Sequence, residues 1–122
     1  MPKKILVVED DPDARRLIES ILKLSRLSVV VAADGQEGLD RAKAELPDVI
    51  ITDIAMPRLN GLAMIRELRG MPDFKKIPIL AITSYGMEKA MEAIKAGANR
   101  ALARPVENHL LLVFVFDLLK LA

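Results

Sequence analysis

The sequence DVIITDIAMPRLNG, at residues 48–61, is the segment around which the rest of this chain is organised. Its apolar run, residues 49–51, predicts a strand that is buried on both faces of a sheet. The run leads to a carboxylate, Asp53, and the pair Asn60 and Gly61 is typical of a turn that leads into a helix. Because ligands bind at the carboxyl ends of the strands in open parallel sheets, the stretch predicts that Asp53 lies in a functional site.

Short apolar runs and helical segments alternate along the rest of the chain. The predicted strands cover residues 5–8, 28–32, 49–52, 78–82 and 101–103. The predicted helices cover residues 12 to about 24, 38–45, 60–70, 87–95, and 106 or 107 to near the end. This alternation predicts an α/β fold, a doubly wound parallel sheet with helices on both faces. We expect the flavodoxin-like (βα)5 strand order 2-1-3-4-5, because its switch point lies between the first and third strands, where the acids of the chain fall.

The composition excludes several classes of function. A chain of 122 residues with 52% hydrophobic and only 3% aromatic residues predicts one domain with an aliphatic core. The net charge of +1 argues against a nucleic-acid partner, and the absence of Cys together with a single His, His109, excludes disulfides, thiolate catalysis and His-rich metal sites. No apolar stretch approaches the roughly 18 residues of a membrane-spanning helix. We therefore expect a soluble cytoplasmic protein with no membrane partner, whose residues 1–122 form one domain with no output domain.

Chemically active side chains follow four of the five predicted strands. These residues are Glu9 and Asp10 after the first strand, Asp53 after the third, Thr83 after the fourth and Arg104 after the fifth. Three converging carboxylates repel one another unless their pKa values shift or a cation binds, and an all-oxygen ligand set suits Mg²⁺. A carboxylate beside Mg²⁺, a hydroxyl and a cationic side chain has the groups needed for phosphoryl transfer, with the carboxylate as nucleophile.

In these residues the chain resembles the receiver domains of two-component response regulators. The resemblance extends over residues 1–122 and includes motifs between the first strand and the fifth. The motifs are ILVVEDD at residues 5–11, PD at 47–48, DIAMP at 53–57, NG at 60–61, PI at 78–79, TS at 83–84, AGA at 96–98 and RP at 104–105. Each motif is weak alone, but their order and spacing together are specific.

The resemblance implies a role for each residue of the acidic cluster. Asp53 is the residue expected to be phosphorylated by a histidine kinase or a histidine phosphotransfer protein. Asp10, Asp53 and the backbone carbonyl of Ala55 are expected to bind Mg²⁺ directly, and Glu9 through water. Thr83 is expected to hydrogen-bond the phosphoryl group, and the signal would pass to an effector protein by contact. Such a domain assists its own phosphorylation and dephosphorylation but is not an enzyme in the ordinary sense.

Two residues depart from the family pattern. Arg104 stands where the family usually has Lys, and Arg is not equivalent to Lys at a tight phosphate site. Arg104 either pairs with the phosphoryl group or holds Asp53 in a standing ion pair that blunts the response. Ala101 stands where many relatives have an aromatic residue that turns inward on activation. The resemblance also implies a cis peptide bond before Pro105.

These departures leave two alternatives open. The first is a pseudo-receiver, which keeps the fold and acts as a protein-interaction module without phosphorylation. Arg104 and Ala101 favour it, and the intact acids oppose it. The second is a small flavodoxin-like ligand-binding protein, which the acids after the first strand oppose because they would repel an anionic cofactor.

The last helix is apolar over most of its surface. On a helical wheel, the stripe expected to face the sheet consists of Leu110, Leu111, Phe114, Leu118 and Leu121. A second stripe outside it consists of Leu112, Phe116 and Leu119. The apolar arc spans roughly 240°, whereas a surface helix needs only about 100°. An exposed apolar patch predicts a partner, either a second copy in a C2 dimer or a kinase or effector helix.

Four further interpretations concern single residue types. Asp11 is expected to cap the first helix. The methionines are expected to fill the core. Tyr85 lines either the mouth of the site or a partner surface, and His109 is an exposed bystander.

Overall fold

A five-stranded parallel sheet forms the centre of the computed structural model, which describes residues 2–56, 58–84 and 86–121. The strands are β1 (Lys4–Val8), β2 (Ser28–Ala32), β3 (Val49–Asp53), β4 (Ile79–Thr83) and β5 (Arg100–Ala103). Their order, β2-β1-β3-β4-β5, confirms the predicted flavodoxin-like topology. The central strand, β3, pairs with β1 and β4, so Asp53 ends the middle strand of the sheet.

Five helices connect the strands. They are α1 (Pro12–Leu24), α2 (Gly35–Glu45), α3 (Gly61–Arg69), α4 (Gly86–Ala96) and α5 (Asn108–Leu119). Helix α2 begins earlier than predicted because the Asp34 carboxylate caps it, accepting the backbone N–H of Glu37 at 2.8 Å. A short 3₁₀ helix, Pro72–Phe74, follows α3 and was not predicted.

The helices cover both faces of the sheet, as a doubly wound fold requires. Helices α2, α3 and α4 pack on one face against the side chains of Leu6 and Ile50. Helices α1 and α5 pack on the other face against Ile5 and Ile51. Adjacent strand residues point to opposite faces, and in the three inner strands, β1, β3 and β4, both faces are buried, so these strands are largely continuous apolar runs.

The loop between β3 and α3 packs tightly against the end of β3. The Gly61 N–H donates to the Ile54 carbonyl at 2.8 Å and closes the loop. A Cβ at Gly61 would lie 2.2 Å from the backbone oxygen of Asp53, so only glycine fits there. Asn60 caps α3 as predicted, accepting the Ala63 N–H at 2.9 Å. The NG pair therefore sets the path of the chain immediately after Asp53.

The orientation of α5 differs from the prediction. Its fully buried residues are Leu111, Val115 and Leu118, of which Val115 was not predicted. Leu110 and Leu121, predicted to face the sheet, are 41% and 64% exposed. The prediction was right for Leu111 and Leu118 and wrong for Leu110 and Leu121. Because α5 is apolar almost all round, hydrophobic periodicity does not define which face is buried.

The predicted outer stripe of α5 also needs correction. Leu112 and Leu119 are half-buried and pack against the core, as does Phe114 from the predicted inner stripe. Phe116 is the one member of the outer stripe that is exposed, at 43%. The exposed apolar residues near it are Leu110 and Val113.

The methionines divide between the core and the surface. Met64 is fully buried, as predicted, whereas Met87 and Met91 on α4 are 76% and 55% exposed. The prediction about Tyr85 lies outside the described residues. Within the described ranges, no helix is both long enough and apolar enough to span a membrane.

Candidate functional site

The structure brings Glu9, Asp10 and Asp53 together at the carboxyl edge of the sheet. One carboxylate oxygen from each lies within 4.8 Å of the others. Glu9 is buried, Asp53 is half-buried and Asp10 is exposed, so the cluster opens to solvent on one side. β1 and β3 are neighbours in parallel register, with Val8 opposite Thr52, and this pairing places the acids that follow them side by side.

The backbone around the first two acids orients them differently. The Glu9 N–H donates to the Ala32 carbonyl at 3.0 Å and extends the sheet by one residue. The Glu9 Oε2 accepts the Asp11 N–H at 3.1 Å, which holds the carboxylate inside. Asp11 caps α1, as predicted, through a 3.3 Å bond from the Asp13 N–H. Asp10 lies between them, on the exposed side of the cluster.

The Asp53 carboxylate is held by its own loop. The Ile54 N–H donates to Asp53 Oδ1 at 2.8 Å. Thr83 ends β4, one residue beyond the pairing of Asp53 with Ile82, and is fully buried. The Arg104 N–H donates to the Thr83 carbonyl at 2.8 Å, which ties the end of β5 to the same edge.

Arg104 points into the acidic cluster and is not a surface cation. Its Nη2 donates a hydrogen bond to Glu9 Oε1 and lies 3.6 Å from Asp53 Oδ2. The ion pair with Asp53 that the sequence suggested is therefore present, but the closer partner is Glu9. The contact between Arg104 and Glu9 was not predicted from the sequence. The available signal was the side chain itself, because Arg is longer than Lys and has several donors that can contact two acids. The peptide bond before Pro105 is cis, as the resemblance implied.

Burial raises the pKa of two acids in the cluster, Glu9 and Asp53. Burial raises the pKa of Glu9 to about 7, and the negative charge of Asp53 adds to this effect. The Asp11 N–H and the Arg104 guanidinium act in the opposite direction on Glu9. Burial also raises the pKa of Asp53, against the lowering effect of Arg104. One guanidinium therefore does not fully compensate the buried carboxylates.

A divalent cation fits this donor set. Oxygen atoms of Glu9, Asp10 and Asp53 lie close enough together to hold such an ion, and Mg²⁺ prefers a small number of carboxylates together with water. Solvent reaches the exposed side of the cluster, where such waters would lie. Ala55, whose carbonyl is the further predicted ligand, is exposed in the loop directly after β3.

The comparison with protein families agrees with this geometry. The family model described as the response regulator receiver domain matches residues 5–115. The chain belongs to this family. Its sheet order, its acidic cluster and its length are those of a receiver domain.

Two solved structures illustrate the similarity. A putative response regulator from Chloroflexus aurantiacus is 32% identical and superposes with a TM-score of 0.95, covering 98% of this chain and 99% of that one. The receiver domain of sensor histidine kinase PA1611 from Pseudomonas aeruginosa is 29% identical, with a TM-score of 0.92 and coverage of 98% and 99%. That structure has a magnesium ion coordinated in its active-site cleft.

A longer relative shows that the receiver domain also occurs as part of larger proteins. Response regulator MprA of Mycolicibacterium vanbaalenii is 38% identical over 106 residues. The match covers 86% of this chain and 45% of MprA, so the chain spans less than half of that relative.

Proposed function

We propose that this receiver domain accepts a phosphoryl group on Asp53 in a Mg²⁺-dependent reaction and signals by protein contact. The donor is a histidine kinase or a histidine phosphotransfer protein of a two-component phosphorelay. The observation that supports this most strongly is the half-buried Asp53 carboxylate, which lies among Glu9, Asp10 and Arg104 at the carboxyl edge of the central strand.

The two oxygens of Asp53 have different surroundings, which suggests separate tasks. Oδ1 accepts the Ile54 N–H and is fixed in position. Oδ2 faces Arg104 at 3.6 Å and is the proposed nucleophile. As the bond from Oδ2 to phosphorus forms, the bond from phosphorus to the donor histidine nitrogen breaks. The guanidinium of Arg104 lies close enough to bind an equatorial phosphoryl oxygen.

The proposed metal ligands are Asp10, Asp53 and the Ala55 carbonyl, with Glu9 acting through water. A bound Mg²⁺ supplies positive charge to the transferred group and to the acids around it. Without that charge, burial leaves the pKa values of Glu9 and Asp53 raised. A protonated Asp53 is a poor nucleophile, so keeping this carboxylate ionised is a requirement of the reaction.

Thr83 supplies the proposed link from the phosphoryl group to the surface. It is buried at the end of β4, and its carbonyl accepts the Arg104 N–H. Hydrogen bonding of its hydroxyl to the phosphoryl group would bias the surface formed by α4, β5 and α5. Ala101 on β5 is small and half-buried, so in this chain the surface would respond without an aromatic side chain turning inward.

The proposal is tested by intact mass after incubation with Mg²⁺ and acetyl phosphate. We expect the wild-type protein to gain one phosphoryl group, and expect no gain for Asp53→Asn or in the presence of EDTA. Asp73→Asn is the matched control because it removes an exposed carboxylate far from the cluster. An equal gain in Asp53→Asn, or no gain in the wild type, would reject Asp53 as the phosphoacceptor.

The hydrogen bond between Arg104 and Glu9 favours one alternative, a pseudo-receiver. In that case the guanidinium remains with the acids permanently, and the domain acts as a protein-interaction module without phosphorylation. Absence of both phosphoryl gain and Mg²⁺ binding would support this second function.

The exposed apolar residues of α5 support a protein partner at that helix. Leu110, Val113 and Phe116 are 41%, 39% and 43% exposed. The proposed partner is a second copy in a C2 dimer, and a kinase or effector helix is the alternative. Val113→Lys with Phe116→Lys should lower the solution mass measured by light scattering, whereas His109→Lys on the same helix should not. An unchanged mass in the double variant would remove α5 as a dimer interface.

A further inference from the structure

A cationic side chain already lies among the acids that are proposed to bind metal. Arg104 Nη2 donates to Glu9 Oε1 and lies 3.6 Å from Asp53 Oδ2. The carboxylate oxygens of the cluster lie within 4.8 Å of one another, so the space between them is small. A divalent cation and a guanidinium nitrogen in that space would therefore compete for the same oxygens.

Two donors already contact the Glu9 carboxylate. Its Oε2 accepts the Asp11 N–H at 3.1 Å, and its Oε1 accepts from Arg104. The residue is only 2% exposed, so water reaches it only through the cluster. A carboxylate can accept about four hydrogen bonds, so Glu9 keeps some acceptor capacity, but the Arg104 Nη2 that contacts it also lies 3.6 Å from Asp53 Oδ2 and takes up space between the two acids. A metal-bound water in that space meets the Arg104 side chain, which can move, whereas the Asp11 N–H belongs to the backbone at the start of α1.

We propose that Arg104 is an intramolecular competitor that sets the divalent-cation affinity of the unphosphorylated protein. Its guanidinium stays beside Glu9 and Asp53 until a divalent cation displaces it from Glu9. The displaced guanidinium is then free to bind the phosphoryl group that arrives at Asp53, a step that rests on the proposed function.

The difference between Arg and Lys is central to this role. A guanidinium is planar, offers several N–H donors and remains charged at every working pH, so it can contact both carboxylates at once. A Lys ammonium has the same charge, but it is a single nitrogen on a shorter side chain. Arg104→Lys therefore preserves the net charge of the cluster and weakens the contact with Glu9. Any change in metal affinity then reports that contact and not the overall electrostatic field.

The test is a titration with Mn²⁺, monitored by electron paramagnetic resonance, without any phosphodonor. At about pH 8, Glu9 is ionised, because this pH is above the pKa of about 7 that burial gives its carboxyl. We expect Arg104→Lys to bind Mn²⁺ about tenfold more tightly than the wild type, the order of one charge-assisted hydrogen bond. Arg100→Lys, at the exposed start of the strand that leads to Arg104, should leave the affinity unchanged. Affinity in Arg104→Lys that is weaker, or equal within about a factor of two, would overturn the proposal.

A second measurement uses the wild-type protein and does not depend on the folding of a variant. In nitrogen-15 NMR spectra, saturating Mg²⁺ should shift the side-chain Nε–Hε resonance of Arg104 and speed its exchange with water. The same resonance of Arg69, which contacts no carboxylate of the cluster, should stay in place. An Arg104 resonance that does not change with Mg²⁺, or a wild type and variant that both bind no divalent cation, would overturn the proposal.

This test is independent of phosphorylation. A protein that gains a phosphoryl group on Asp53 while Arg104→Lys leaves Mn²⁺ affinity unchanged would refute the competitor role alone. A protein in which Arg104→Lys tightens Mn²⁺ binding while Asp53 gains no phosphoryl group would refute the proposed function alone.

Discussion

Two arginines lie at opposite edges of the sheet, and their partners differ in kind. At the amino edge, Arg69 donates to the carbonyls of Gly97 and Phe74 at 2.8–3.0 Å and to Asn99 Oδ1 at 3.1 Å. At the carboxyl edge, Arg104 faces carboxylates. Neutral carbonyl and amide oxygens attract a competing metal ion less strongly than carboxylates do, so Arg69 is a fixed connection. Carboxylates attract any cation, so the contacts of Arg104 are exchangeable.

The Arg69 network also connects three parts of the chain. Arg69 ends α3, Phe74 ends the 3₁₀ helix, and Gly97 and Asn99 lie between α4 and β5. Burial lowers the pKa of Arg69. In the ranges the structure describes, its hydrogen-bond acceptors are carbonyl and amide oxygens, and none of the observed ion pairs includes it. This comparison teaches that a half-buried arginine can be structural or functional, depending on whether its acceptors are neutral or ionised.

The largest effect that we expect is on stability at the amino edge. Arg69→Met should lower the free energy of unfolding by about 3–4 kcal/mol, because it leaves the carbonyls of Phe74 and Gly97 without their donor. Arg66→Met, an exposed position on the same helix, is the control and should have little effect. Urea denaturation measures both. A loss below about 1 kcal/mol for Arg69→Met would contradict the structural role of this residue.

The second effect is a pH dependence at the carboxyl edge. The folded-state pKa of Glu9 is raised from 4.5 to about 7, so the folded state holds this proton more tightly than the unfolded state. The protonated Glu9 carboxyl therefore stabilises the folded state fully below about pH 4.5, and this stabilisation is lost as the pH rises through about 7. In EDTA, we expect the free energy of unfolding to fall by about 2–3 kcal/mol over this range.

Glu9→Gln provides the check on that pH dependence. The variant cannot titrate at this position, so its free energy of unfolding should change less between about pH 4.5 and 7. Glu88→Gln, an exposed residue on α4, should behave as the wild type does. Equal slopes for the wild type and Glu9→Gln would mean that another group controls the pH dependence.

The third effect concerns Gly97, whose backbone carbonyl accepts hydrogen bonds from Arg69. Gly97 has a φ of +127°, and a Cβ there would lie 2.6 Å from Arg69 Cγ. Gly97→Ala should therefore cost about 2 kcal/mol in thermal or urea denaturation. Gly70→Ala is the matched control, because Gly70 is right-handed and a Cβ there would meet nothing closer than 3.4 Å. If Gly70→Ala lowered the free energy of unfolding as much as Gly97→Ala does, the cost at Gly97 could not be attributed to its backbone conformation and its contact with Arg69.

The smallest effect sharpens the contrast between the two arginines. At about pH 5, below the pKa of about 7 that burial gives Glu9, the Glu9 carboxyl is protonated, so Arg104→Met does not leave an ionised Glu9 without its partner. We expect the free energy of unfolding to change by less than about 1 kcal/mol there, whereas Arg69→Met keeps its full effect. A loss for Arg104→Met equal to that of Arg69→Met at this pH would mean that both arginines are structural.

Much of the fold, and the residues that lie together in the site, were predicted from local sequence patterns. The run at residues 49–51 and the acid after it located the central strand and the position of Asp53 at its carboxyl end. Asn60 and Asp11 were identified as helix caps, and both side chains cap their helices. The strand order is confirmed, while the roles of Asp53, Thr83 and Arg104 in phosphorylation stay predictions.

The errors share a physical cause. The face of α5 that is buried was predicted from a helix that is apolar on nearly all sides, so the pattern carried no orientation. Met87 and Met91 were assigned to the core from residue type, although methionine is common on surfaces that bind partners. In both cases the burial of a residue depended on what packs beside it and not on its own hydrophobicity.

The alternation of strands and helices and the set of polar residues that follow the strands could be read from the sequence alone. These features depend on periodicity, turn residues and the position of each acid at the end of a strand, all of which are local. The contact of Arg104 with Glu9, a residue 95 positions away, and the entry of Val115 rather than Leu110 into the core depend on the tertiary structure. Contacts of this kind depend on distances of a few ångströms between separate strands and helices, which packing sets and sequence spacing does not.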